Sequence, residues 1–326
     1  MALIKKSIKT ITYLILAHVL LSAAAQAQHY PSRPLRMIVG FPPGGPTDLV
    51  ARLVAQRLSE TLGQQVVTDN RPGAAGAVAG VLMVRAAPDG HTLFLASNGE
   101  IAISPTLYKK MAYDPVKDLA PVSRVGAAQL VLLVYPGVAA QSIKELVSLA
   151  KAKPGTINFG SSGVGSSAHL AAEMFKLSTG IDIVHVPYKG AGPAMTDLMG
   201  GQVQMVITAL SAAMPHIKSG KLRALGLTGA HRVKSIPELP TIGETVAGYQ
   251  MNSWYGLFTT VGTPATVINR LHSEVAAMVK RPETSEKFAG LGIEAEGTPP
   301  QVFAQQIKEE IAKWAKVIQL ARVPLQ

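Results

Sequence analysis

Residues 35–62 are LRMIVGFPPGGPTDLVARLVAQRLSETL: an apolar run, a loop rich in glycine and proline, and a long amphipathic segment. The run 35–41 has the length and composition of a buried β-strand. Pro46 suits the first position of a helix, and apolar residues recur after it at helical spacing. Strand, tight turn and helix in this order are typical of α/β proteins.

The same order of strand, glycine-rich loop and helix recurs at 157–177, so each half of the chain contains one such unit. Strands are predicted at 35–41, 65–68, 92–96, 131–134, 157–159, 183–186, 203–207 and 222–227. Helices are predicted after Pro46, at 76–87, 142–152, 166–178, 193–199 and 211–219, and as two amphipathic stripes at 267–278 and 303–318. The pattern predicts an α/β fold of two lobes, with a cleft at the carboxyl ends of the strands.

The chain is predicted to pass between the lobes twice. A first crossing is expected at 121–126 and a return near Thr228. Lobe 1 would then contain 28–125 and 229–326, and lobe 2 would contain 126–228.

The N-terminus has the pattern of a secretory signal. Lys5, Lys6 and Lys9 precede an apolar stretch at 11–21, which is shorter than the roughly 20 residues of a membrane-spanning helix. The segment Ala25-Gln26-Ala27 fits the small-residue cleavage pattern. We expect 1–27 to be a signal peptide cleaved after Ala27, the alternative being an uncleaved signal anchor.

Charge and cysteine content exclude several classes of protein. The 326 residues carry a formal net charge of +11, and removal of the signal with its three lysines lowers it to +8. No basic cluster remains at the loops discussed below, so a nucleic-acid partner is not expected. Absence of cysteine excludes thiolate metal sites and cysteine nucleophiles. Together with an export signal it favours the periplasm.

The first loop, 41–48, has the features of an anion cradle. Its glycines leave backbone N–H groups unhindered, and the positive end of the following helix dipole lies at the same point. Thr47 or Asp48 could instead only cap the helix, which leaves a purely structural alternative open. Neither Lys nor Arg occurs between 41 and 51. A bound anion would therefore be held by neutral donors.

The second loop, 160–169, offers serine hydroxyls and further unhindered N–H groups at another helix start. Its Gly163-Val-Gly-Ser-Ser-Ala168 matches the G-x-G-x-x-G/A dinucleotide pattern, but no acidic residue ends the next strand. The hydrolase pattern G-x-S-x-G fails because Val164 stands at the last glycine. His169 near Ser166 keeps an oxidoreductase or hydrolase open as an alternative. No catalytic residue, metal or cofactor is predicted.

These motifs resemble those of the tripartite tricarboxylate transporter substrate-binding proteins, also called Bug (Bordetella uptake gene) receptors. The loop FPPGGPTD at 41–48 carries the first match. Colinear matches follow at 69–76, 160–169, 186–190, 197–203, 219–225 and 254–258. The resemblance spans essentially the whole mature chain. It implies a two-lobed periplasmic binding protein fold, type II-like, that closes on a small organic acid in a cleft between the lobes.

The resemblance also implies ligand-binding positions and partners. One wall of the site would contain Phe41, Gly44, Gly45, Thr47, Asp48 and Asn98. The facing wall would contain Ser161, Ser162, Gly165, Ser166, Ser167 and His169, with a carboxylate held partly through waters. The expected ligand is a small organic acid or an amino acid. The expected partners are integral membrane transporter subunits, with the receptor itself a monomer. Presentation of the ligand to a membrane sensor is an alternative role.

The stretch 97–105 departs from the pattern of these receptors. Ser104 stands where relatives often carry Asn, and Glu100 adds an acidic group near the expected cleft. A carboxylate there would repel a highly charged tricarboxylate and leaves an amine-bearing or singly charged acid open. We expect Glu100, however, to point to solvent.

Overall fold

The computed structural model describes residues 30–73, 76–233 and 235–326. The predicted signal peptide 1–27, and with it the cleavage point after Ala27, lies outside the described residues. Within the described part of the chain, no helix is both long and apolar enough to span a bilayer.

Two mixed β-sheets form the framework. The strands are β1 (Leu35–Val39), β2 (Val66–Asn70), β3 (Thr92–Ser97), β4 (Leu119–Ala128), β5 (Leu130–Val134), β6 (Asn158–Ser161), β7 (Val184–Pro187), β8 (Met205–Ala209), β9 (Arg223–Leu227), β10 (Ser253–Thr260) and β11 (Ile293–Thr298). The first sheet has the order β11-β4-β10-β3-β1-β2 and the second β7-β6-β8-β5-β9. Each sheet belongs to one lobe.

Helices cover the sheets. They are α1 (Pro46–Leu62), α2 (Ala77–Val84), α3 (Ser104–Leu107), α4 (Ile143–Ala152), α5 (Ser167–Thr179), α6 (Ala191–Met199), α7 (Leu210–Lys218), α8 (Ala265–Met278), α9 (Pro282–Gly290) and α10 (Pro300–Leu320). A π-type helical turn, Gly99–Ile103, precedes α3, and a 3₁₀ turn, Ile242–Glu244, follows β9. This arrangement confirms the predicted α/β class.

The unit 35–62 folds as its sequence indicates. β1 pairs in parallel with β2 and β3, and it is buried on both faces apart from Arg36. Continuous apolar runs are typical of such doubly covered strands. In α1 the buried positions include Val50, Val54 and Leu58, which form the stripe that packs on the sheet. The unit therefore aims its loop, 40–45, at the carboxyl edge of the first sheet.

Three strands are missing from the sequence-based assignment. β4, β10 and β11 run antiparallel to their neighbours and complete the first sheet. Residues 121–126, where the crossing is predicted, lie inside β4, and the chain changes sheet at Gln129. Pro121, Arg124 and Gly126 interrupt the apolar alternation of this strand, which is why it resembles a linker in sequence.

The two lobes touch at two places, one of which lies beside the crossing at Gln129. A Cβ on Gly165 of lobe 2 would collide with Leu107 of lobe 1, and a Cβ on Gly292 of lobe 1 would collide with Ser211 of lobe 2. Both glycines have positive φ, 75° and 68°. At both places the backbone of one lobe thus lies directly against a side chain of the other.

Candidate functional site

Loop one is held in shape by a buried carboxylate. Asp48, in the first turn of α1, is 1% exposed. Its Oδ2 accepts hydrogen bonds from the Gly44 N–H and from Arg52 Nε, both at 2.9 Å, and its Oδ1 accepts one from Asn70 Nδ2 at 2.9 Å. Asn70 also donates to the carbonyl of Phe41 at 2.9 Å. Asp48 therefore joins loop one to the end of β2.

Ionisation of Asp48 depends on these bonds. Burial opposes the charged form, but the hydrogen bonds from Arg52, Gly44 and Asn70 outweigh it and hold the pKa of Asp48 below its usual value. Gly45, the residue before α1, has no side chain that could cap the helix. The first N–H groups of α1 thus have no capping side chain and remain available as donors.

Loop two is held by a histidine of its own helix. The Gly165 N–H donates to His169 Nδ1 at 3.0 Å, and the His169 N–H donates to Ser166 Oγ at 3.2 Å. His169 Nδ1 must then be the unprotonated nitrogen of the ring. Gly163 and Gly165 have φ values of 125° and 75°, which side chains with a Cβ rarely adopt. The loop conformation thus requires both glycines.

Behind loop two lies a stack of aromatic rings. The rings of His169 and His185 are 3.8 Å apart, and His185 also stacks on Phe159 at 4.8 Å. Ser161 Oγ lies 2.6 Å from His185 Nε2. Burial, and next the neighbouring His169, lower the pKa of His185 to about 4, so the His185 ring is uncharged near neutral pH.

The Ser161–His185 pair has the spacing of a nucleophile and its base. Ser161 is, however, completely buried and does not line the cavity described next. A nucleophile must reach its substrate. The pair therefore supports the loop, and its position does not favour the hydrolase alternative.

A cavity of ≈ 710 Å³ lies between loops one and two. Its lining residues come from both lobes: Phe41, Pro42, Pro43, Gly45, Pro46, Thr47, Ser97, Gly99, Ser104, Leu107, Tyr108, Leu130, Ser162, Val164, Gly165, Ser166, Ser167, Ala168, Ala191, Thr208, Ala209, Ser253 and Tyr255. The volume suits a small organic molecule. In the part of the chain that the structure describes, no three His, Asp or Glu side chains are grouped as metal ligands would be.

The structure divides the predicted site residues into two groups. Those that line the cavity are Phe41, Gly45, Thr47, Ser162, Gly165, Ser166 and Ser167. Those that do not line it are Gly44, which is exposed, and Asp48, Asn98, Ser161 and His169, which are buried behind the lining. Most of the second group make the hydrogen bonds that shape the two loops, as described above for Asp48 and His169.

Asn98 belongs to the second group and joins two elements of the first lobe. It is completely buried, its Nδ2 donates to the carbonyl of Asn252 at 3.3 Å, and its Oδ1 accepts from Ser253 Oγ at 3.1 Å. Ser253 itself lines the cavity. Asn98 therefore positions the start of β10 beside the cavity.

The expectation that Glu100 points to solvent is wrong. The side chain is 1% exposed, and its Oε2 accepts hydrogen bonds from the N–H and Oγ of Ser97 at 2.7 and 3.1 Å. Its Oε1 lies against the backbone of Gly40 and Gly76. Burial raises the pKa of Glu100 to about 8, so the side chain is mostly protonated near neutral pH. The reason for the error is that two glycines leave room for the carboxyl group.

Several lining residues are absent from the prediction. Leu107, Tyr108, Leu130, Thr208 and Tyr255 come from helix ends and strands distant in sequence. Only Tyr255 lies in a motif singled out above, 254–258. Its neighbour Trp254 lies on the other face of the strand, because successive residues of a strand face opposite sides. Trp254 is buried there, and its indole N–H donates a hydrogen bond to Glu310 Oε2. The alternation of side chains along the strand could have identified Tyr255 as a lining residue. The sequence contained no comparable signal for the other four lining residues named here.

Comparison with known proteins gives a consistent result. A family model described as "Tripartite tricarboxylate transporter family receptor" matches residues 50–322. Protein BugT of Bordetella pertussis is 38% identical over 302 residues, which cover 91% of this chain and 92% of that protein.

Solved structures agree with this similarity. Rpa4515 of R. palustris with adipate is 36% identical, has a TM-score of 0.79, and the match covers 90% of this chain and 99% of that one. MatC of Rhodopseudomonas palustris with bound malate is 31% identical, has a TM-score of 0.74, and the match covers 89% and 100%. The two-lobed architecture predicted from the sequence is thereby confirmed.

Proposed function

The chain belongs to the tripartite tricarboxylate transporter family of receptors, and we propose that it captures a small organic carboxylate in the cavity between loops one and two. The observation that carries the proposal is the cavity itself. Both lobes contribute to it, and the N-termini of α1 and α5 open into it through Thr47 and Ser167. Helix N-termini with free N–H groups bind anions without a cationic side chain.

Capture by this site proceeds in two steps. One lobe first binds the acid through its loop, and closure about the crossings at Gln129 and near Thr228 then brings the other loop onto it. Waters bridge the carboxylate to the serine hydroxyls that line loop two. The closed form docks on integral membrane subunits and releases the acid there.

The remaining features of the proposal follow from this role. The receptor is a periplasmic monomer exported by a signal peptide cleaved after Ala27. It has no catalytic activity, and conversion of a bound acid to a product would instead indicate the α/β enzyme considered above.

Titration calorimetry on the purified protein tests the proposal. Adipate and malate, which the solved relatives bind, are the first probes, and adipamide is the uncharged control. We expect at least one carboxylate to bind and the amide not to bind. The proposal is wrong if no carboxylic acid of a broad panel binds while neutral compounds do.

A variant links binding to loop one. Gly45 lines the cavity at a φ of −77°, which valine also adopts, so Gly45→Val fills space without straining the backbone. We expect loss of binding with an unchanged unfolding transition. Gly290→Val is the matched control, because a Cβ at Gly290 meets nothing within 4 Å and the residue lies outside the cavity lining. Retained affinity in Gly45→Val would remove loop one from the site.

A further inference from the structure

A buried carboxyl group lies directly behind the cavity, in the π-type turn that precedes α3. Glu100 does not line the cavity, but its neighbours Ser97, Gly99 and Ser104 do. Resting on the proposed function, we propose that Glu100 is a positioning residue for ligand capture. In its neutral form it holds the ends of β1 and β3 in the binding geometry, and its ionisation weakens binding of the acid. Capture is thereby favoured in acidic and neutral medium.

The side chain of Glu100 joins the end of β3 to the backbone behind loop one. Its Oε2 accepts hydrogen bonds from the Ser97 N–H at 2.7 Å and from Ser97 Oγ at 3.1 Å. Its Oε1 occupies a niche at Gly40 and Gly76, where a Cβ on either glycine would collide with it. Gly40 directly precedes loop one, and Ser97 ends β3 and lines the cavity. A movement of the Glu100 side chain therefore displaces backbone on which the cavity is built.

The surroundings of Glu100 favour the neutral carboxyl group. The side chain is buried, and among the described residues no hydrogen-bond donor reaches Oε1. Burial raises the pKa of Glu100 to about 8, against the smaller opposite effect of the bonds from Ser97, and no cationic side chain of the described residues contributes. A carboxylate without a cation or a full set of donors is costly to bury. Ionisation therefore forces the side chain to move or admits water to its niche.

Two tyrosines are the titratable side chains that face Glu100 from the elements packed on this turn. The Tyr113 hydroxyl donates to the Glu100 carbonyl at 3.3 Å, and Tyr255 comes from β10. Burial, and next the charge of Glu100, raise the pKa of both tyrosines, that of Tyr255 to about 12. On α10, which also packs on the turn, the buried Glu310 is bonded to Trp254. The tyrosines stay neutral while Glu100 titrates, so they provide no compensating charge.

Ionisation of Glu100 acts on a bound acid in two ways. Movement of the side chain removes the acceptor of the Ser97 N–H and loosens the end of β3 beside the cavity. The new negative charge, directly behind the lining, also repels the carboxylate of the ligand. Because both effects favour the protonated receptor in the complex, ligand binding takes up a proton by linkage.

The expected size follows from the fraction of receptor in which Glu100 is neutral. With a pKa of about 8, roughly one-tenth of the free receptor is neutral at about pH 9. The apparent affinity is reduced by the fraction of the competent form, so binding should be roughly tenfold weaker at about pH 9 than at about pH 6.5. At about pH 8, each bound acid should take up about half a proton.

Calorimetry on the unmodified protein between about pH 6.5 and about pH 9 tests the proposal. Adipate and malate are the probes, because both are ionised throughout this range. Repetition at about pH 8 in buffers of different ionisation enthalpy measures the proton uptake. An affinity that does not change with pH overturns the inference and leaves the proposed function standing. Absence of binding by every carboxylic acid at every pH overturns the proposed function and the inference with it.

Two variants at Glu100 separate the charge of the side chain from its packing. Glu100→Ala leaves the buried Ser97 N–H without its acceptor and should bind the acid more weakly at every pH. Glu100→Gln keeps an oxygen that accepts from Ser97 but does not ionise. It should recover most of the binding lost in Glu100→Ala, without the decline toward pH 9 and without proton uptake.

Glu296→Gln is the matched control. Burial also raises the pKa of Glu296, which pairs with Arg124 in the first lobe and lies outside the cavity lining. This variant should keep the pH dependence of the wild type. A decline that survives in folded Glu100→Gln overturns the inference, as does its loss in folded Glu296→Gln. Where Glu100→Gln does not fold, the proton uptake of the wild type decides, and its absence overturns the inference.

Discussion

Replacing Gly165 with alanine is expected to weaken ligand binding and to lower the stability of the fold, through two separate costs. Gly165 lies in loop two with a φ of 75°, and its ideal Cβ would be 2.0 Å from Cδ2 of Leu107. The two residues belong to opposite lobes. The collision therefore exists only when the lobes are together, and separating them relieves it.

The free-energy cost of Gly165→Ala has two parts. A left-handed conformation costs a residue with a Cβ roughly 1–2 kcal/mol, whether the lobes are open or closed. Overpacking of a filled contact costs typically about 1–3 kcal/mol and applies to the closed form alone. The second part is a loss of affinity of roughly fivefold to 150-fold. The first part appears as a loss of unfolding free energy.

Two measurements and one control separate these parts. Calorimetry with the tightest-binding acid of the panel gives the affinity, and small-angle X-ray scattering without ligand reports the separation of the lobes. Gly180→Ala is the matched control: Gly180 follows α5 with a φ of 65°, and nothing lies within 4 Å of its Cβ position. We expect it to lose stability by about 1 kcal/mol and to bind normally.

A second substitution tests the assigned cause. Leu107→Val removes the Cδ2 atom that meets the new Cβ, so the double variant should recover much of the lost affinity. Wild-type affinity and an unchanged scattering curve in Gly165→Ala would refute the reasoning. So would a loss of affinity in Gly180→Ala of the same size.

Three further outcomes are expected. The pKa of Glu100, raised by burial to about 8, exceeds its unfolded value, so the folded protein binds the additional proton and loses stability as pH rises toward 8. In Glu100→Gln, the unfolding free energy measured with urea should fall less between about pH 5 and about pH 9 than in the wild type. The difference between the two declines should be on the order of a few kcal/mol. Asp48→Asn keeps one acceptor oxygen but turns an NH₂ group either to the Gly44 N–H or to Asn70 Nδ2, so it should cost roughly 1–3 kcal/mol in unfolding free energy and weaken ligand binding. His169→Phe keeps the ring stack but leaves the Gly165 N–H unpaired, at a similar cost measured by the same unfolding and calorimetry.

Each of these outcomes has a result that contradicts it. An unchanged pH dependence in Glu100→Gln would mean that the carboxyl group is not the titrating site. Normal ligand affinity in both Asp48→Asn and His169→Phe would show that the loops keep their shape without these bonds. Normal stability in either variant would show that the affected N–H finds another acceptor.

The strand–loop–helix units could be predicted because their signals are local. In 35–62 the apolar run, the turn residues and the helical stripe lie within one stretch. The predicted strand and helix differ from those in the structure only at their end residues. The same holds for 157–177. β4 and β11 had no such signal, because their pairing partners lie far away in sequence and their own residues are mixed.

The candidate site shows the same division. The glycines of the two loops indicated that accessible backbone N–H groups lie at the helix starts, since only glycine adopts those turns freely. The sequence did not show which face of each loop lines the cavity. It also did not show that Asp48 and His169 stabilise the loops from behind, because this depends on their hydrogen bonds to Asn70 and Gly165.

Local sequence thus determined the α/β class, the two glycine loops and the neutral character of their donors. Tertiary structure alone decided that Glu100 is buried behind two glycines and that Leu107 and Tyr255 share a cavity with loop two. The physical reason is distance along the chain. A turn or a helix start is specified by neighbours a few residues apart, whereas the surroundings of a side chain are supplied by segments that only the packed fold brings together.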